Sequence, residues 1–332
     1  MILDINNALE NQLYHAVIAF YAPRENWPAS TSFDDIAEIT QQLPLKKLQR
    51  WERVIQMALR RALIVRNEAH FISWLDVMHY DGYVRERALR ALQRGAPSRF
   101  FFAQMLRRLN DWAEPVRKAA RESLLNVASL TPSDWVIDSL IEAILRFPSW
   151  GRADDVDKQA LVTISELPEI QLALKQQIIT GSSGPMPRLL MQLCCSAAWE
   201  AHLPVIAIDA IQPAVRAIAY RFMLEGYASW YRGQAYWQLT DKKSGARTLI
   251  GQTQKRQLTQ SYPTWELIFQ AAQDRSGIVR RVSAEFLIKN LSDDVNQARL
   301  LAEQFASDKA QAVRFRGDFA LRKLNELTNA AD

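Results

Sequence analysis

Cysteine, histidine and glycine are scarce in this 332-residue chain, and each shortage removes a class of function. The two cysteines, Cys194 and Cys195, are adjacent, a spacing that suits different sides of a helix and offers no disulfide framework. Four histidines (His15, His70, His79 and His202) form no His-Glu-x-x-His motif and no paired spacing with the cysteines. Neither a metal centre nor a cofactor is therefore expected. Eleven glycines and thirteen prolines fall mostly between apolar stretches. The run Gly181-Ser182-Ser183-Gly184-Pro185 lacks the following Lys-Ser/Thr that would cradle nucleotide phosphates, and there is no Gly-x-Ser-x-Gly elbow. Only residues converging from separate segments could build an active site, so a non-enzymatic role is favoured. No run approaches roughly 18 uninterrupted apolar residues, which argues against a membrane span. Residues 1–7 lack the basic and apolar sections of a secretory signal, and with the unpaired cysteines this predicts a cytoplasmic protein.

What the chain does contain is enough apolar sequence to bury a core, 48% against 23% charged. Its net charge of +5 is banded. Residues 1–45 hold one basic residue against six acids, and residues 46–121 hold seventeen against seven. Residues 122–215 reverse the sign with five against eleven, and residues 216–332 hold eighteen against twelve. In the second band only Lys46, Lys47 and Lys118 are lysines. Arginine suits planar, bidentate contacts with phosphate or carboxylate, so this band could attract an anionic partner.

The stretch Asp81-Gly82-Tyr83-Val84-Arg85-Glu86-Arg87-Ala88-Leu89 reads as a tight turn and the start of a helix. Its Val-Arg opening returns at Val116-Arg117, Val215-Arg216, Val279-Arg280 and Val313-Arg314. The arginines are 32, 99, 64 and 34 residues apart, close to one, three, two and one copies of a single period. Asp81, Asp111, Asp274 and Asp308 precede these openings. The pattern resembles HEAT repeats. The resemblance implies an all-α fold, a right-handed α-solenoid of about seven helix pairs under an N-terminal helical cap. It covers about five units well and thins across two, where Asp157 stands in place of arginine and Met186-Pro187-Arg188-Leu189 departs further.

Helical periodicity places elements over 5–20, 32–43 and 45–65, the last with Leu48, Trp51, Ile55, Leu59 and Ala62 on one face. Helix pairs are expected at 69–79 with 84–94, 98–109 with 116–128, 132–147 with 156–165, and 168–180 with 186–199. Three further pairs fall at 203–210 with 213–229, 263–273 with 278–291, and 295–306 with 312–327. Residues 1–68 then form the cap, 69–229 and 263–332 the repeats, and 230–262 an insertion. Within that insertion, 236–240 and 246–250 read as two strands around a polar turn, a candidate β-hairpin. The rival is a divergent unit, since Arg247 lies 31 residues after Arg216. Trp51, Trp74, Trp112, Trp135, Trp199 and Trp265 suit buried helix faces.

Two groups of residues are candidates for function. Arg87, Arg90 and Arg94 are spaced as one helical stripe, Arg121 follows Arg117 by one turn, and Arg60 and Arg61 end the preceding helix. Side by side they could neutralise backbone phosphates, or form an ordinary solvated face. In the insertion, Trp237, Lys242, Lys243 and Arg247 mix aromatic and cationic groups suited to stacking on bases or anchoring a protein. The HEAT resemblance implies a different role for Arg85, Arg117, Arg216, Arg280 and Arg314, namely locking neighbouring units through turn carboxylates or carbonyls. The favoured function is a scaffold gripping a protein partner through its concave or inserted surface. DNA or RNA binding through residues 46–121 is the alternative, similar in outline to the HEAT-like DNA glycosylases. Asp111, Trp112 and Arg117 have the residue types those enzymes use but do not match their set position by position. A HEAT-like lyase attaching a tetrapyrrole is a third and weaker option. Oligomeric state is not legible.

Overall fold

A computed structural model describes residues 8–21, 32–65, 73–233, 236–240 and 245–329. The described residues are mostly helical, with four short strands. They form two compact units, Met1–Ala173 and Leu174–Asp332.

The first unit contains α1 (Ala8–Tyr21), α2 (Phe33–Gln41), α3 (Leu48–Val65), α4 (Gly82–Ala91), α5 (Arg99–Arg107), α6 (Glu114–Ser129), α7 (Ser133–Arg146) and α8 (Asp155–Ser165). Helix α9 (Pro168–Thr180) spans the boundary. Two helices begin with capping boxes. The Ser32 hydroxyl accepts the Asp35 N–H while Asp35 accepts that of Ser32, and Asp154 and Asp157 do the same for α8. The apolar face of α3 is buried at Leu48, Trp51, Ile55, Leu59 and Ala62, and the helix packs on α1 and α5. Helix α5 in turn packs on α7, while α4 packs on α6 and α6 on α8.

Two expected helices of this unit differ. Of residues 69–79, the described part is a single 3-10 turn, Asp76–Met78. Ser73 and Asp76 explain it, because the Asp76 carboxylate takes the Ser73 N–H at 3.1 Å and the Ser73 hydroxyl takes that of Leu75 at 3.2 Å. Such local side-chain bonds compete with helix hydrogen bonding. Helix α4 stops at Ala91, three residues before Arg94, where Leu92 turns extended. The chain then brings Gly95 against the Leu130 carbonyl, so close that a Cβ would stand 1.9 Å from its oxygen.

The second unit contains α10 (Met186–Leu193), α11 (Leu203–Asp209), α12 (Pro213–Glu225), α13 (Thr264–Ala272), α14 (Gly277–Lys289), α15 (Val295–Ala306) and α16 (Gln311–Asn329). Helices α12, α14 and α16 pack in succession, with α11, α13 and α15 each against its following partner. Helix α10 ends six residues before Trp199, and a 3-10 turn at Ala197–His202 follows. Helix α12 stops at Glu225 rather than continuing to Ser229, because Gly226 adopts the left-handed conformation (φ 69°) that closes a helix.

Immediately after Gly226 come β1 (Tyr227–Tyr231), β2 (Tyr236–Leu239), β3 (Arg247–Ile250) and β4 (Thr253–Gln257). Strands β2 and β3 form an antiparallel ladder, with Tyr236 opposite Ile250 and Leu239 opposite Arg247. Outside it, β1 pairs with β4, Tyr227 opposite Gln257 and Tyr231 opposite Thr253. The hairpin is thus longer than the sequence suggests and starts at Tyr227. Its base is fixed by Arg256, whose guanidinium donates to the carbonyls of Cys194, Cys195 and Ser196 and to buried Glu200. Glu200 also accepts from the Thr259 and Gln260 N–H groups and the Thr259 hydroxyl. These donors hold its carboxyl below the usual range against the opposing effect of burial.

The same bond joins helices in both units. At each Val-Arg opening the arginine Nη1 donates to the carbonyl six residues earlier. Arg85 reaches His79 at 2.8 Å, Arg117 reaches Asp111 at 3.0 Å and Arg216 reaches Ala210 at 2.7 Å. Arg280 reaches Asp274 at 2.8 Å and Arg314 reaches Asp308 at 2.7 Å. Three of these arginines also grip the aspartate at the next opening with two parallel bonds: Arg85 on Asp111, Arg216 on Asp274 and Arg280 on Asp308. Arg117 instead approaches Asp157 at 3.6 Å. Each gripped aspartate accepts the N–H two residues on, from Ala113, Ser276 or Ala310. One carboxylate therefore closes its own turn and anchors the preceding helix.

Candidate functional site

The basic candidates of the first unit do not form one open strip. Arg90 is bonded to Glu86 and Glu122, and Arg121 to Asp157 with Glu114 at 3.6 Å. Arg94 lies beyond the end of α4, so the helical stripe with Arg87 and Arg90 is broken. Arg87, Arg94, Arg60 and Arg61 are exposed, and none is ion-paired among the described residues. Arg60 lies 5.1 Å from the centre of the Tyr80 ring.

In the hairpin, Arg247 is exposed at the start of β3. Trp237 belongs to β2, its side chain outside what the structure describes, and Lys242 and Lys243 lie outside the described residues altogether. At the described base, Lys255 sits 4.1 Å from the Tyr227 ring centre and Arg188 lies 5.7 Å from that of Tyr231.

Asp111 is not available for acid–base work. Both of its oxygens are filled, Oδ2 by Arg85 and Arg108 and Oδ1 by Arg85 and the Ala113 N–H. Burial alone would raise its pKa, but Arg85 and Arg108 hold the carboxyl below the usual range. Asp154 and Asp157 are occupied as helix caps, and the described residues contain no cluster of three metal-ligating side chains.

Trp112 overturns an expectation. It fits no buried face; 69% of it is exposed, on the turn between Asp111 and α6. Tyr83, at the start of α4, is 85% exposed and Tyr80 is exposed beside it. The two turns, 79–83 and 111–116, enclose an open groove of about 530 Å³ with Tyr80, Tyr83 and Trp112 in its walls and Asp81, Glu86 and Glu114 among its polar groups. The Arg85–Asp111 clamp sets the spacing of these turns. The Arg85 guanidinium lies 5.9 Å from the Trp112 ring centre, a cation–π approach that favours this ring position. A signal for the exposure exists in the sequence. Trp112 follows the gripped aspartate, and the same place after Asp274 and Asp308 holds Arg275 and Lys309, side chains that belong in water.

Compared with known proteins, the chain matches no protein-family model and no curated sequence.

Proposed function

We propose that the chain is a non-enzymatic, HEAT-like helical scaffold that binds a protein partner, with the Tyr80–Tyr83–Trp112 groove as a principal contact. In this reading the Val-Arg helices are stacked repeat units of a solenoid, and the arginine–aspartate clamps hold neighbouring units in register. The observation that carries it is the exposed Trp112 beside the exposed Tyr83 across a concave surface. Tryptophan and tyrosine are the residues on which binding energy concentrates at protein interfaces. A rigid ring of that size buries about 150–250 Å² when covered. Grouped aromatic exposure with no packing role in the chain's own core is the expected mark of an interaction surface.

The nucleic-acid alternative draws support from Arg60, Arg61, Arg87 and Arg94, but Arg90 and Arg121, from the same basic band, are committed to carboxylates. A peptide array probed with the full chain, together with a labelled DNA duplex titrated at several salt concentrations, tests the reading. Array binding that is lost in Trp112→Ala and Tyr83→Ala is the expected result. Duplex binding with a steep salt slope, abolished by Arg87→Glu and untouched by Trp112→Ala, would instead establish the alternative.

A further inference from the structure

A second concave feature of the first unit is polar, lined by helices and by the short 3-10 turns that follow α5 and α7. It lies where α3, α5 and α7 meet, with a volume of about 190 Å³. That equals the liquid volume of about six water molecules. Its walls include Gln49, Arg107, Asn110, Arg146, Ser149 and Trp150. Arg107 and Arg146 are 39 positions apart in sequence, on α5 and α7, and the packing of those helices brings two guanidinium groups to one small space.

Their charge is only partly compensated inside the protein. Arg107 Nη1 donates to Glu52 at 2.7 Å and to the Gln104 side chain at 3.1 Å. Glu52 is shared with Arg108, which also reaches Asp111, itself already gripped by Arg85. Arg146 bonds Glu142 through Nε and the Lys46 carbonyl through Nη2. Four arginines thus draw on three carboxylates, Glu52, Asp111 and Glu142. Donors are left over on its lining residues: Nε and Nη2 of Arg107 and Nη1 of Arg146 make no hydrogen bond among the described residues. Asn110 adds another, because its carbonyl oxygen is occupied by the N–H groups of Arg152 (3.0 Å) and Ala153 (3.2 Å), leaving the amide nitrogen to donate. Burial lowers the Arg107 pKa below its usual value, and the positive charges of Arg108 and Arg146 work in the same direction against Glu52. A guanidinium pushed this way is one that an added negative charge would stabilise.

We propose that this pocket binds a small oxyanion, the phosphate or carboxylate group of a compact ligand, between Arg107 and Arg146, with Asn110 as a third donor. Guanidinium pairs present N–H groups in the planar geometry that such oxygens accept. The volume admits the anion and a few further heavy atoms. Glu142 lies in the wall but is held by Arg146 and does not oppose the bound charge alone.

Isothermal titration of the full chain with inorganic phosphate and, separately, with succinate, at constant ionic strength set by chloride, tests this. Saturable binding of at least one probe is expected, and which of the two binds distinguishes phosphoryl from carboxylate ligands. Arg146→Gln should weaken it at least about tenfold, the loss of one charge-assisted hydrogen bond. Asn110→Asp retains the acceptor for Arg152 and Ala153 while placing a negative charge at the site. It should abolish binding with the thermal midpoint unchanged. Arg94→Gln and Trp112→Ala should bind as the wild type does, which separates this site from the aromatic groove. Absence of saturable binding for both probes, or equal binding by wild type and Asn110→Asp, would overturn the assignment.

Discussion

The turn at Asp111 in the first unit and the turn at Asp274 in the second are built alike and present different surfaces. Asp111 is gripped by Arg85 at 2.9 and 2.8 Å, and Asp274 by Arg216 at 2.7 and 2.8 Å. Each aspartate closes its own turn through the N–H two residues on, and each carbonyl takes the next Val-Arg arginine. Beyond that shared frame they diverge. Trp112 follows the first aspartate and Arg275 the second, both exposed. Pro115 precedes the valine of one and Ile278 that of the other. The frame accounts for the cadence of the sequence, and the exposed positions upon it are where the two turns can differ in function.

The largest effect is expected from breaking the frame itself. Arg216 is fully buried, and its removal leaves Asp274 without the partner for its charge. Arg216→Ala should cost about 3–5 kcal/mol in urea unfolding, and Asp111→Ala, which strands buried Arg85, a similar amount. Equal losses would show that the frames are equivalent in energy as well as geometry.

Acid should weaken the clamps at Asp111 and Asp308. Arg85 and Arg108 hold Asp111 below the usual carboxylate range against burial, and Arg280 does the same for Asp308. A folded-state pKa below the unfolded value contributes stability that is fully present above the unfolded value, about 3.9, and is lost as pH falls towards the folded one. Stability measured from pH 6 downward should therefore be flat until about pH 4 and then fall, as the aspartate reference pKa requires. Asp111→Asn, already less stable at neutral pH, should show a shallower fall in the same range.

The glycines at the two kinds of turn sharpen the contrast. A Cβ on Gly277 would come within 2.9 Å of the Ala310 Cβ, whereas one on Gly82 would meet nothing nearer than 3.7 Å. Gly277→Ala should cost about 1–3 kcal/mol through crowding, while Gly82→Ala should be neutral or gain up to about 1 kcal/mol from reduced chain entropy. Thermal unfolding of the two variants measures the difference.

The smallest effect is expected at the hairpin tip. Arg256, Trp230 and Leu258 fix its base, and Arg256 alone bonds four carbonyls and Glu200. Replacing residues 236–250 with a short linker should leave the unfolding midpoint within a degree or two, since a surface change away from such contacts usually stays within about 0.5 kcal/mol.

Much of this is legible because buried ion pairs impose fixed spacings. The Val-Arg openings and the apolar face of α3 each follow from a local rule. Residue type alone suggests a buried Trp112, but its place one step after a gripped aspartate matters more and leaves it exposed. The outer ladder of the hairpin was hidden by the helical run of α12, though Gly226 followed by Tyr227 and Trp230 was a usable mark of the change. In the described part of 69–79, a 3-10 turn replaces the expected helix where Ser73 and Asp76 bind local backbone. Arg107 and Arg146 carried no signal at all, since only the packing of α5 on α7 brings them together.

The proposal that the aromatic turn is the contact for a protein partner is tested most directly by one paired measurement: urea unfolding and peptide-array binding of Trp112→Ala beside the wild type. The account predicts an unchanged unfolding free energy with binding lost. A variant that keeps its binding, or one that unfolds several kcal/mol more easily, would contradict it.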